Sequence, residues 1–155
     1  TSQSRKDPRT TFEHTDGITM STLKFPSGMM AVSLEDVWSG PRADDYDDDI
    51  FIAWRVEGTE GVAKGTIGWP KGKPSTLTYN SRKTTGGKWV TPSWDTHWFP
   101  HAFIGVMEQL QYALRTGAEP VLNVADNVRT MALIEAGYRS MAEKRTIPLS
   151  EISTR

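Results

Sequence analysis

The chain has 155 residues, with 18 Lys and Arg against 19 Asp and Glu, a formal net charge of −1, and no cysteine. That length suffices for one well-cored domain, burying roughly two-thirds of the surface its unfolded form exposes. The balanced charge offers no footprint for nucleic acid or an anionic membrane, and the missing thiols exclude disulfides, thiolate catalysis and Cys-based zinc sites.

Residues 1–14 are polar, carry Pro8 and several charges, and show no hydrophobic period, so they read as a flexible or connecting segment. Thr1-Ser2-Gln3-Ser4 reads as mid-protein sequence, which predicts a larger parent chain. From Gly17 to Phe25, Ile18 and Met20 alternate with polar neighbours, then Leu23 and Phe25 do so in the other phase; a strand with a bulge explains the change. Pro26-Ser27-Gly28 is turn chemistry, and the alternation of Met30, Val32 and Leu34 completes a β-hairpin.

The next stretch holds Gly40-Pro41 and the acidic residues Asp44, Asp45, Asp47, Asp48 and Asp49. A calcium loop of EF-hand type needs Gly at its sixth place and Glu at its twelfth. Counted from Asp45 those places hold Ile50 and Val56, so a solvated loop is the better reading. Ile50, Ile52, Trp54 and Val56 then form one face of a strand, with Phe51, Ala53, Arg55 and Glu57 on the other. Gly58 to Gly61 turns the chain into a strand from Val62 to Trp69. Gly72-Lys73 fails as a phosphate loop, because Pro74 stands where Ser or Thr is required. Shorter strands follow at Ser75 to Ser81 and Lys88 to Thr91, separated by an exposed bend at Arg82-Lys83 and Gly86-Gly87.

Two helices close the chain. Pro100 suits a first helical turn, Gly117 a left-handed terminus, and between them Phe103, Val106, Met107, Leu110 and Leu114 make an apolar stripe. Asn123 is an N-cap with Asp126 facing the positive end of the helix dipole. Val128, Met131, Ile134, Tyr138 and Met141 form the second stripe, with Leu133, Ala136 and Gly137 beside it; Gly137 marks a close approach. Arg145 to Leu149 reads as a short returning strand or an extended tail. Strands followed by helices, without βαβ alternation, predict an α+β fold: a mostly antiparallel open sheet of five to six strands with two long helices covering one face. Phe103, Val106, Leu110, Met131 and Ile134 are then expected in the interior. No run of about 18 apolar residues and no signal-peptide pattern occurs, which predicts a cytoplasmic protein without a membrane span, although a signal upstream would not be visible.

Trp98-Phe99-Pro100-His101-Ala102-Phe103, the Gly-x-Glu-Pro turn at Gly117 to Pro120, Ala-Asp-Asn-Val-Arg-Thr at 125–130 and Ala-Leu-Ile-Glu-Ala-Gly-Tyr-Arg-Ser at 132–140 resemble the C-terminal end of the Gfo/Idh/MocA family of NAD(P)-dependent oxidoreductases. Asp16, Leu-Lys-Phe-Pro-Ser-Gly at 23–28 and Trp-Arg-Val-Glu-Gly-Thr-Glu-Gly at 54–61 extend the resemblance over nearly the whole chain. It implies that residues 15–155 are the family's C-terminal sheet domain. The family's N-terminal domain, with its glycine fingerprint, Glu-Lys-Pro motif and Asp/His pair, has no counterpart here. The resemblance therefore implies no cofactor site and no catalytic residue in this stretch, with NAD or NADP and the dinucleotide-binding domain belonging to the parent, an oxidoreductase acting on a sugar, polyol or related hydroxyl compound.

Candidate substrate-lining residues are His97 and His101, which flank the entry to the first helix and can donate hydrogen bonds to a polyol, together with Tyr79 and Arg82. The reading of both histidines as ordinary loop and helix-start residues is the favoured one. Trp54, Trp69 and Trp89 suit core or interface packing better than stacking on sugar rings. The apolar bulk on both faces of the Ile50–Glu57 strand predicts a homo-oligomer through the sheet, with Phe51, Ala53 and Arg55, and Ile67 on the next strand, as interface candidates. The alternative is a stand-alone, non-catalytic sugar-binding or assembly module.

Overall fold

A computed structural model of the chain describes residues 1–8, 12–36, 51–68 and 74–153. The acidic cluster, the rejected phosphate loop and Trp69 lie outside them, as does the side chain of Phe51. The fold is α+β, but among the described residues the strands form two antiparallel sheets, of three and four strands, where a single sheet of five to six was expected. The chain divides into two compact units, Thr1–Trp38 with Glu119–Arg155, and Ser39–Ala118.

In the first unit, β1 (Ser2–Arg5), β2 (Ile18–Lys24) and β3 (Met30–Asp36) lie in the order β1-β2-β3. β1 is a strand within residues 1–14, which read from sequence as a flexible or connecting segment. Its sequence has no apolar alternation because it is held by hydrogen bonds and by small residues. Ser2 is buried, its N–H donates to Ser140 Oγ at 3.0 Å, and its hydroxyl meets Ser21 Oγ at 2.8 Å. Beyond it, Asp7 is fully buried, and its N–H donates to His14 Nε2 at 3.0 Å. That bond leaves the imidazole proton on Nδ1, facing the Phe12 carbonyl at 2.9 Å. Gly17 is required by this loop, since a Cβ there would stand 2.5 Å from Asp7 Cβ.

The expected hairpin is present, with Gly28 at φ 87° and its N–H on the Phe25 carbonyl at 2.9 Å. The expected bulge is not. Register runs unbroken from Ile18 opposite Asp36 to Lys24 opposite Met30, so Met20 and Leu23 lie on opposite faces of a regular strand.

The helix α2 (Val124–Glu143) starts as its sequence dictates, with Asn123 Oδ1 accepting from the Asp126 N–H at 2.9 Å. Its buried face corrects the expected one. Ala132, Ala136 and Ser140, spaced by four, are buried, whereas Met131 is 55% exposed and Ile134 is also exposed. The small stripe wins because α2 packs on β1, and only short side chains let a strand backbone come so near. A Cβ on Gly137 would lie 3.4 Å from Ser2 Oγ, the close approach anticipated at that glycine. Past α2 the chain runs without a strand to a short 3-10 turn at Leu149–Glu151, with Ile147 buried on the way.

The second unit holds β4 (Phe51–Gly58), β5 (Gly61–Gly68), β6 (Thr76–Ser81) and β7 (Trp89–Val90) in sequential order. It also holds the helix α1 (Ala102–Thr116), which ends on Gly117 at φ 73° with the expected N–H to the Ala113 carbonyl at 2.8 Å. No residue of α1 is buried: Phe103 is 50% exposed, and Val106 and Leu110 are exposed as well. The stripe was read correctly as a pattern, but among the described residues of this unit no strand packs substantially against it.

Candidate functional site

Antiparallel partners directly opposite each other share a face of the sheet, so the register of β4 to β7 sorts the second sheet residue by residue. Ile52, Trp54 and Val56 stand opposite Ile67, Gly65 and Ala63, which continue to Leu77 and Tyr79. That face is apolar. Gly65 is what lets it form, since a Cβ there would run into the Thr76 carbonyl and stand 2.9 Å from Trp54 Cζ2.

The opposite face is polar and positive. Ala53 pairs with Thr66 and then Thr76; Arg55 pairs with Lys64 and then Thr78; Asn80 pairs with Trp89. Ala53, Arg55, Lys64, Thr66, Thr76 and Thr78 of this face, with Trp54 and Gly65 between them along the strands, line an open depression of about 450 Å³. Two cations directly opposite each other oppose strand pairing, at a cost on the order of tenths of a kcal/mol. Glu57 neutralises one of them through an ion pair with Arg55 Nε. Among the described residues no carboxylate pairs with Lys64, whose ammonium lies 5.4 Å from the centroid of the Trp89 ring. That contact is attractive but does not neutralise the charge.

The threonines carry a fixed set of hydrogen bonds. Thr66 Oγ1 donates to the Pro74 carbonyl at 2.8 Å and lies 2.8 Å from Thr76 Oγ1, which accepts from the Thr66 N–H at 3.1 Å. Thr78 and Thr91 hydroxyls meet at 3.1 Å.

The sequence-derived candidates do not gather in this depression. Tyr79 lies on the apolar face, opposite Ala63 and Val90. Arg82 opens the bend after β6, where its N–H donates to the Glu60 carbonyl at 2.8 Å. His97 and His101 do come together, with ring centroids 6.1 Å apart and the His97 N–H donating to His101 Nδ1 at 2.9 Å. A neutral His101 so arranged carries its proton on Nε2, which can donate to a hydroxyl oxygen. Accepting a proton there requires the other tautomer, with Nδ1–H turned to the His97 carbonyl at 3.3 Å.

The interface candidates are split as well. Ala53 and Arg55 belong to the polar face, whereas Ile67 sits opposite Ile52 on the apolar one. Of the tryptophans, Trp54 is half-buried over Gly65, and Trp89 is exposed beside Lys64. Sequence reasoning missed Lys64, Thr66, Thr76 and Thr78. Their signal was the alternation Lys-x-Thr and Thr-x-Thr on neighbouring strands, which marks a single polar face once the register is known.

No group of three or more potential metal ligands converges among the described residues, and no described helix is long and apolar enough to cross a membrane. No family model matches the chain, and no solved structure matches it. Over 96 residues, 61% of this chain, it is 26% identical to a D-apiose dehydrogenase from Rhizobium rhizogenes. The chain spans only about a quarter of that relative's length, 27%.

Proposed function

We propose that this chain is the C-terminal, substrate-shaping and oligomerisation domain of a Gfo/Idh/MocA-type oxidoreductase that uses NAD or NADP on a sugar, polyol or related hydroxyl compound. The observation that carries the reading is the similarity to a sugar dehydrogenase over 61% of the chain. The order of the family-like segments, from Asp16 to the helix ending at Glu143, supports it. In this reading His97 and His101, with Arg82, face the hydroxyl-bearing substrate in the complete enzyme, whereas Tyr79 lies on the apolar face of the sheet. The hydride chemistry and the nucleotide site belong to the dinucleotide-binding domain.

The oligomer contact is assigned to the apolar face of the second sheet. Ile52 and Val56 are 48% and 63% exposed there, Ile67 lies beside them, and a sheet-on-sheet contact would cover them. Two measurements test the reading. Titration of this chain with NAD or NADP should give no binding beyond a nonspecific control; low-micromolar binding would place a nucleotide site in this chain and overturn the domain assignment. Light scattering should report a dimer or larger, and Val56→Lys should shift it toward monomer by placing an unpaired charge in the contact. A strictly monomeric wild type would sink the oligomer assignment while leaving the nucleotide result intact.

A further inference from the structure

The polar face of the second sheet carries a donor and acceptor pattern that its own residues leave half used. Lys64 has three N–H donors, and no carboxylate among the described residues takes any of them. Arg55 commits Nε to Glu57, and its two terminal nitrogens have no described partner. The two cations pair across β4 and β5 and both line one depression, and strand pairing alone gives no reason to hold like charges there.

The hydroxyls complement them. Thr66 spends its proton on the Pro74 carbonyl and accepts one from Thr76, whose oxygen accepts the Thr66 N–H, so each oxygen keeps one lone pair. Thr78 and Thr91 share one proton at 3.1 Å and keep one to donate. The depression thus offers charged donors at Lys64 and Arg55, and acceptors for hydroxyl protons at Thr66 and Thr76. The depression measures about 450 Å³ and is open to solvent.

We propose that this face binds a small hydroxyl-bearing anion, a sugar acid or sugar phosphate, with the acid group on Lys64 and Arg55 and the hydroxyls on Thr66, Thr76 and Thr78. A neutral sugar satisfies the threonines but leaves the cations opposed. A bare anion satisfies the cations but leaves the threonine acceptors without donors. The inference rests on the register of the sheet and holds whichever enzyme the chain belongs to, so its failure is separate from that of the domain assignment.

Calorimetry on the chain, with gluconate, glucose 6-phosphate, glucose and inorganic phosphate as probes, tests it. At least one of the two sugar anions should bind ten-fold or more tighter than glucose and than inorganic phosphate. Whichever binds tighter reports whether carboxylate or phosphate is preferred. Lys64→Met, an exposed change that keeps the side-chain stem, should weaken that binding at least ten-fold, and Lys64→Arg should retain it. Thr78→Val should narrow the preference for the sugar anion over inorganic phosphate. Amide shifts on titration should centre on Lys64, Thr66 and Thr76. Equal binding of glucose or of phosphate alone, no binding of either sugar anion, unchanged affinity in a folded Lys64→Met protein, or shifts centred elsewhere would each overturn the proposal.

Discussion

Replacing Ser140 by Ala isolates the contact on which the first unit is assembled. Ser140 is 2% exposed, and its Oγ accepts the Ser2 N–H at 3.0 Å while donating to the Arg145 carbonyl at 2.6 Å. One hydroxyl therefore ties β1, α2 and the chain beyond α2 together. Alanine fits the space but leaves the Ser2 N–H without a partner at a buried position, and a stranded donor of that kind costs about 1–3 kcal/mol. Losing the bond to the Arg145 carbonyl pushes the total to the middle of that range or above, so about 2 kcal/mol is expected. For a chain of this size that corresponds to a melting point lower by roughly 4–8 °C. Hydrogen exchange is the more local assay. If the Ser2 amide exchanges through opening of β1 from α2, its protection should fall about thirty-fold, because each 1.4 kcal/mol is a factor of ten. Ser4→Ala is the control: its half-buried hydroxyl makes only longer side-chain bonds, to Asp16 at 3.2 Å and from Thr19 at 3.3 Å, and its loss should change less. An unchanged melting point together with unchanged Ser2 protection in Ser140→Ala would refute the claim that this hydroxyl joins the three segments.

Gly65→Val should destabilise the second sheet by about 2–4 kcal/mol, since the added carbons meet the Thr76 carbonyl and the Trp54 ring, and a backbone oxygen cannot move aside; urea denaturation followed by Trp fluorescence measures it. The C-terminal ion-pair cluster should make stability depend on acid. Arg139 Nε donates to Glu143 at 2.8 Å, and Arg145 donates to Glu143 and Glu151 at 2.6 Å each. Hydrogen bonding to Arg139 holds the Glu143 carboxyl below its ordinary value, and Arg145 does the same for Glu151. The unfolded chain therefore takes up protons first as pH falls. The contribution is complete above the ordinary glutamate value near 4.5 and is lost as pH drops through the depressed values of the folded state. Melting curves across that range should fall less steeply in Arg145→Met, and high salt should mimic the variant because the pairs are partly exposed. Identical acid profiles for the two proteins would remove the cluster from the account.

Several element ends were written in the local sequence, because turn and cap chemistry acts over three or four residues. Asn123 caps α2, Gly117 ends α1, Gly28 turns the first hairpin, and Gly58 to Gly61 turns the second, all as their residue types dictate. The amphipathic stripes were legible too, but their meaning was not. Periodicity shows that a helix has an apolar side; it does not say which side meets a strand. In α2 the contact went to Ala132, Ala136 and Ser140, where β1 comes close to the helix at Gly137 and Ser2 hydrogen-bonds to Ser140, and the longer side chains of Met131 and Ile134 were left exposed.

β1 itself has no apolar signature, since serines that bond to one another and to α2 define it, and those partners lie far off in sequence. The candidate site depended on tertiary structure in the same way. A strand's alternation assigns residues to two faces, yet which residues of the next strand share a face depends on pairing register, and a slip of one position exchanges the faces completely. The two-residue turn between Gly58 and Gly61 fixes that register, placing Lys64 beside Arg55 and sending Ile67 to the opposite side from Ala53. Sequence alone determined the helices, their caps and the strands that alternate or flank a tight turn, because those rest on contacts within a few residues. Only the tertiary structure decided which faces are buried, how the strands divide into two sheets, and which charges and hydroxyls converge, because those rest on pairings between residues distant along the chain.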